Sequence, residues 1–96
     1  MKVKNNMNRY NNIFTKMYPH IDLHGETTDT CIAPLNEFIT DNLRLHNAKV
    51  VVIHGIGEGI LKTRVHELLK KDNRVKKFYL DCWNIGETII ELKIDN

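Results

Sequence analysis

The stretch Val50-Val51-Val52-Ile53-His54-Gly55-Ile56-Gly57-Glu58-Gly59-Ile60-Leu61 constrains this chain more than any other. Four β-branched apolar residues in a row read as a buried strand. His54 follows, and glycines then occupy alternate positions until a helical pattern begins. Glycine permits positive φ and lets the backbone come close to a ligand. A helix opening after such a turn aims its free N–H groups, and the positive end of its dipole, at an anion. Strand, histidine, glycine-rich turn and helix N-terminus together describe a phosphate-contacting site. A tight turn between strand and helix, with no ligand, is the plainer alternative.

The remaining elements follow from periodicity. Ile21-Asp22-Leu23-His24 alternates apolar and polar as a short strand does, and Gly25 stops it. Asp22 and His24 then share a face. A helix follows, with Thr27 or Thr28 as N-cap and an apolar stripe of Ile32, Leu35, Phe38, Ile39 and Leu43. Pro34 lies inside that stripe and should kink the first turns or delay the start; the end is placed near Asn47. Strand two is Lys49 to Ile53. Helix two runs from Ile60 to Lys71, with Leu61, Val65, Leu68 and Leu69 inward and Lys62, His66 and Lys70 outward. Strand three covers Val75 to Cys82, Trp83 to Gly86 make a turn, and strand four alternates from Glu87 to Ile94. The order is βαβαββ. A right-handed crossover makes the first two strands parallel, and the last two form an antiparallel hairpin. The fold class is α/β, a two-layer sandwich: a four-stranded mixed sheet with two helices on one face.

With 96 residues the chain holds one domain, placed at 20–96, preceded by a basic arm at 1–19. The arm carries Lys2, Lys4, Arg9 and Lys16 without an acidic residue. Tyr10, Ile13, Phe14 and Met17 fit one face of a short docked helix, and a flexible arm is the alternative. Residues 60–81 are again basic, which suits a polyanion, although a solvated helix face needs such charge anyway. No apolar run is long enough to span a bilayer, no secretory signal is evident, and Cys31 and Cys82 lack metal-ligand spacing. Reduced thiols in a cytoplasmic protein are expected.

In α/β sheets ligands collect beyond the carboxyl ends of the parallel strands. That rule brings the two His-Gly corners together, with Asp22 beside them. Two histidines and a carboxylate can perform general acid–base chemistry on a phosphodiester. Asp22 would orient His24 or hold a divalent metal such as Mg²⁺, although no ligand cluster demands one. Asp22 as a backbone cap, with His24 and His54 as satisfied strand ends, is the plainer reading of each residue. His20, His46 and His66 are assigned to the surface. Trp83 is expected to pack on the sheet, with stacking on a base as the alternative. The turn is neither a dinucleotide fingerprint, since its third glycine comes one residue early, nor a phosphate loop ending in G-K-[ST].

Ile21-Asp22-Leu23-His24-Gly25 and Ile53-His54-Gly55-Ile56-Gly57-Glu58-Gly59-Ile60-Leu61-Lys62 resemble the two signature motifs of the Smr (small MutS-related) domain, L-D-L-H-G and H-G-x-G-x-G-x-L-[RK]. Gly86 with Thr88-Ile89-Ile90-Glu91-Leu92 resembles its closing strand, so the resemblance covers about residues 20–94. It implies a two-layer α/β sandwich, nucleic-acid binding and, in several members, endonuclease activity on RNA or DNA; some relatives act on ribosomes. By motif position Asp22 and His24 carry over as the catalytic or substrate-contacting pair. Gly25 belongs to the first motif. His54, Gly55, Gly57 and Gly59 carry over as the phosphate-facing turn, His54 assisting catalysis, and Lys62 as its basic residue. Lys62 and Arg64 would add sequence-independent affinity. The histidine at position 24 argues for a free-standing member of the family. One departure stands out: the glycine-rich run before the last strand is replaced by Trp83-Asn84-Ile85-Gly86-Glu87-Thr88. If that loop approaches phosphate, Glu87 would repel it. The expected function is therefore phosphodiester hydrolysis in RNA or structured DNA, or alternatively docking on RNA or a ribosome without catalysis. A small-nucleotide-binding domain is a third reading, disfavoured by the shallow pocket expected of so short a chain.

Overall fold

The structure, a computed structural model, describes residues 16–95. Most of the basic arm expected at 1–19, with the helical face through Tyr10, Ile13 and Phe14, therefore lies outside the described residues. The elements are β1 (His20–Asp22), α1 (Ile32–Arg44), β2 (Lys49–Ile53), α2 (Ile60–Lys70), β3 (Val75–Asp81) and β4 (Asn84–Leu92). They form a four-stranded sheet in the order β1-β2-β4-β3. β1 runs parallel to β2, and β4 is antiparallel to both β2 and β3. The expected βαβαββ sandwich is the observed one.

The core lies between the helices and one sheet face. Leu35 and Ile39 of α1, Val65 and Leu69 of α2, and Val50, Val52, Ile90 and Leu92 of the sheet are buried together with Leu23 and Cys31. Ile32, expected in the α1 stripe, is exposed, while Asn42 is buried there. Asn42 satisfies its amide by donating to the Phe38 carbonyl at 2.9 Å and accepting from Asn47 Nδ2 at 2.8 Å. On the opposite sheet face Val51 and Ile89 are buried as well.

Helix α1 starts late for the reason its proline suggests. Pro34 has no N–H to give the Thr30 carbonyl, so residues 28–31 form only a turn before the regular helix. Thr27 caps that turn, its hydroxyl accepting the amides of Asp29 at 3.2 Å and Thr30 at 3.0 Å. The helix ends at Arg44, three residues before the expected Asn47. His46 takes φ 59°, His46 N–H reaches the Leu43 carbonyl and Asn47 N–H the Asn42 carbonyl. This is a Schellman ending with a histidine at the position glycine usually holds.

In β3 the register shifts between Val75 and Lys77. One extra residue there returns Val75 and Phe78, three apart, to the same face. A second shift lies between Leu80 and Asp81, and it moves the hairpin turn to Cys82-Trp83, earlier than the expected 83–86. β4 consequently begins at Asn84, with Ile85 to Glu87 displaced from the β3 ladder.

Candidate active site

The carboxyl ends of β1 and β2 lie side by side, Asp22 pairing with Ile53. Beyond β1, Leu23 is buried and donates its amide to the Ile53 carbonyl at 2.7 Å. This anchor fixes the turn His24-Gly25, which closes with Glu26 N–H on the Leu23 carbonyl, Gly25 taking φ 89°. The same oxygen of Asp22 accepts the His24 amide at 3.0 Å and lies 3.1 Å from His24 Nδ1. These bonds, the backbone one foremost, hold the Asp22 carboxyl below its ordinary value, so it stays ionised. A carboxylate only accepts, which places the ring proton of neutral His24 on Nδ1 and leaves Nε2 with a free lone pair. The His24 side chain is 71% exposed.

The second corner is arranged differently. His54 is only 5% exposed. Its Nδ1 lies 2.9 Å from the Gly55 carbonyl, which can only accept, so Nδ1 carries the proton. Nε2 of the neutral ring must then accept the Thr88 hydroxyl proton, 2.9 Å away. The remaining partner of that hydroxyl is His66 Nε2 at 2.8 Å, which must be the donor. The relay therefore runs in one direction, from His66 through Thr88 and His54 to the Gly55 carbonyl. Burial, with His54, Lys62 and Lys70 nearby, pushes the His66 imidazolium down in pKa and favours the neutral form this relay uses. His66, expected on the outer face of α2, packs instead against Phe78 with ring centroids 4.9 Å apart. A histidine one turn from Lys62 has no sequence signal marking it for the inside; its partner Thr88 lies 22 positions away.

The main chain completes this corner. The amides of His54 and Gly55 both donate to the Gly86 carbonyl at 2.9 Å. A Cβ on Gly86 would come within 3.1 Å of Asn84 Oδ1 and 3.3 Å of Ile56 Cγ1. Gly86 is thus a site residue, and with Thr88 it is a part of the closing-strand resemblance that has a structural task at this corner. Glu87 follows it but does not face the turn. It is buried on the sheet face opposite Thr88, its Oε1 accepts Asn84 Nδ2 at 2.8 Å, and its Oε2 lies 3.7 Å from His20 Nε2. The expected repulsion of phosphate by Glu87 is therefore corrected: its carboxylate braces the hairpin from behind.

Gly55, Gly57 and Gly59 take φ values of 86°, 25° and 81°, which carry the chain from β2 into α2 at Ile60. A Cβ on Gly55 would lie 3.5 Å from His24 Cβ, so the two corners abut. Helix α2 opens with no side-chain cap and no acidic residue in its first turn. A groove of about 270 Å³ runs from His54 through the glycines to Lys62, and the Lys62 stem lies 3.9 Å from the Cβ position of Gly59. Arg64 stands apart from that groove. Its Nε donates to the Thr28 carbonyl at 3.2 Å, and its Nη1 lies 3.8 Å from Glu67. It lines a second groove of about 330 Å³ with Thr28, Glu58 and Gly59. Arg74, part of the basic segment, is also engaged: it holds Asp72 through two bonds and reaches Thr40 and Asn36 on α1. Among the described residues no three His, Cys, Asp or Glu side chains converge as metal ligands, so the side chains present do not make a metal site by themselves. Both cysteines are free, and no helix among the described residues is long and apolar enough to cross a membrane.

A family model described as the Smr domain matches residues 21–93. The chain is 41% identical over 76 residues to a protein of Geobacillus sp. (strain WCH70) named Endonuclease MutS2, covering 76% of this chain and 10% of that one. A protein of the same name from Finegoldia magna is 38% identical over 76 residues, again 76% of this chain and 10% of the relative. The chain thus spans about a tenth of the length of these relatives. The crystal structure of the Smr domain of Thermus thermophilus MutS2 superposes with TM-score 0.75 at 24% identity, covering 78% of this chain and 98% of that one. YdaL, a stand-alone small MutS-related protein from Escherichia coli, gives TM-score 0.74 at 20% identity, covering 79% and 67%. These two likenesses concern the fold.

Proposed function

The chain belongs to the Smr domain family, and from that premise we propose that it binds nucleic acid and hydrolyses phosphodiester bonds in RNA or structured DNA. The observation that carries this reading is the Asp22–His24 pair, 3.1 Å apart, beside an uncapped helix N-terminus that opens on glycine. The name of the relatives, Endonuclease MutS2, supports it.

A phosphate seated at the start of α2 has its charge met by backbone N–H groups and by the Lys62 ammonium. His24 Nε2 takes the proton of an attacking water while Asp22 holds Nδ1–H and stabilises the imidazolium that forms. The new P–O bond forms as the bond to the leaving oxygen breaks, and His24 returns its proton to that oxygen. His54 assists without touching substrate, by fixing the Gly55 carbonyl and hence the turn. Lys62 and the surrounding surface lysines supply sequence-independent, salt-sensitive affinity. Asp22 with waters and the substrate phosphate would be the protein's share of any Mg²⁺ site.

A binding-only reading, an adaptor on RNA or a ribosome, is favoured by one observation: the hairpin tip presents exposed Trp83 where the resemblance leads one to expect a glycine, with exposed Ile85 two residues on. The deciding assay uses end-labelled structured RNA and branched DNA, with and without Mg²⁺, and compares the chain with Asp22→Ala/His24→Ala. Cleavage by the unaltered chain alone supports hydrolysis. Salt-sensitive binding without cleavage overturns hydrolysis in favour of the adaptor.

A further inference from the structure

Large exposed apolar side chains stand in the groove's wall and at the hairpin tip that touches it, although nothing in phosphate recognition calls for them. Ile56 in the glycine turn and Ile60 at the start of α2 are 66% and 61% exposed, and Trp83 and Ile85 at the hairpin tip are 45% and 57% exposed. The two segments touch, since Ile56 Cγ1 lies 3.3 Å from the Cβ position of Gly86. The tip is also held firmly. Trp83 N–H donates to Asp81 Oδ1 at 2.9 Å, Gly86 N–H to Asn84 Oδ1 at 3.0 Å, and Asn84 Nδ2 to the buried Glu87 at 2.8 Å. Backbone and polar side chains thus fix the tip while its apolar side chains stay in solvent. A ligand docking there would have little main chain left to order.

We propose that Trp83 and Ile85, with Ile56, form a platform for an unpaired nucleobase of a single-stranded nucleic acid whose phosphate sits at the N-terminus of α2. This rests on the phosphate reading of the groove and adds the substrate's strandedness. The occupant follows from charge and shape together. Lys62 and the helix N-terminus call for an anion, and Ile56 beside them, continued through its contact with Gly86 to the hairpin tip, calls for a flat apolar face on that same molecule. A nucleotide carries both, and every base has a π-face for an indole to stack on. In a duplex those faces are hidden, so the platform selects single strands, loops or frayed ends.

Trp83 is the sole tryptophan, so its fluorescence reports the platform directly. The full chain is titrated with a single-stranded oligonucleotide and with an abasic strand of equal length and charge. The base-bearing strand quenches Trp83 and binds roughly tenfold more tightly; the abasic strand does neither. Trp83→Ala/Ile85→Ser lowers affinity for the base-bearing strand to that for the abasic one, leaving the latter and the melting temperature unchanged. Trp83→Phe, which keeps an aromatic face, restores most of the difference. Equal, salt-sensitive binding of both strands overturns the platform and leaves the phosphate reading standing. Salt-insensitive binding, or no binding by either strand, overturns both.

Discussion

His24-Gly25 and His54-Gly55 are the same dipeptide at the ends of adjacent parallel strands, yet one histidine is solvated and the other sealed. β1 is a three-residue edge strand, so the chain leaving it has neighbours on one side only, and His24 rests on Asp22 with its outer nitrogen free. β2 is an interior strand between β1 and β4. The chain leaving it meets Gly86 and Thr88 on one side and α2 above, and both ring nitrogens of His54 are occupied. Position in the sheet, rather than local sequence, separates the solvated histidine, proposed as a base, from the sealed one. The comparison also assigns different consequences to losing each residue.

The largest expected effect tests the exposed corner. His24→Ala lowers the rate of phosphodiester cleavage about 10²–10⁴-fold, the usual worth of a positioned acid–base group, while the melting temperature stays unchanged. Single-turnover cleavage alongside a thermal melt reads both. A large loss of stability, with activity scaling to the folded fraction, would erase the distinction between the corners. The sealed corner predicts the reverse pattern. His54→Ala strips partners from the Gly55 carbonyl and the Thr88 hydroxyl and opens a cavity, destabilising the fold by roughly 2–3 kcal/mol in denaturant titrations. Thr88→Val keeps the shape and removes the hydroxyl that joins the two histidines, at about 1–2 kcal/mol. In the double variant His66→Phe/Thr88→Val the Thr88 term should shrink, because the donor it served is gone as well.

The fold was largely legible in the sequence because its periodicities are strong. The run Val50–Ile53 is the buried, interior strand that it reads as, and Val75, Phe78 and Leu80, out of step by one residue, carry the trace of the bulge at the start of β3. The exposed half of the site was legible too, since Asp22 and His24 are two residues apart and their contact is local. The relay was not. It joins positions 54, 66 and 88 through pairings set by sheet order and helix rotation, which no spacing along the chain encodes. His66 looked like a surface residue because the i, i+4 pattern placed it with Lys62 and Lys70. For Glu87, alternation gives the correct face, opposite Thr88, but not the Asn84 and His20 side chains that it meets there.

The relay also makes the sealed corner sensitive to acid. The folded state holds His66 below its ordinary value, so between the two values the unfolded chain binds more protons than the folded one. Stability is therefore full above the unfolded histidine value of about 6.5 and falls as pH drops through the folded value. Urea midpoints measured from neutral pH down to about pH 5 should decline, and His66→Gln should flatten that decline. An unchanged slope in His66→Gln would mean that the relay does not depend on neutral His66.

The smallest expected effect lies between the corners, where Glu58 is exposed in the glycine turn and lines both grooves. Its carboxylate stands close to the helix end that phosphate is proposed to occupy, so it opposes the ligand through solvent-screened repulsion. Glu58→Gln removes the charge and keeps the size, and should tighten nucleic-acid binding about twofold at low salt, with the gain fading as salt rises. Neither the turn nor the His54 relay uses this side chain, so stability should not move. Weaker binding in Glu58→Gln would instead give the carboxylate a part in holding the ligand, through a water or a cation, and would shift the chemistry of the site from the edge corner toward the turn itself.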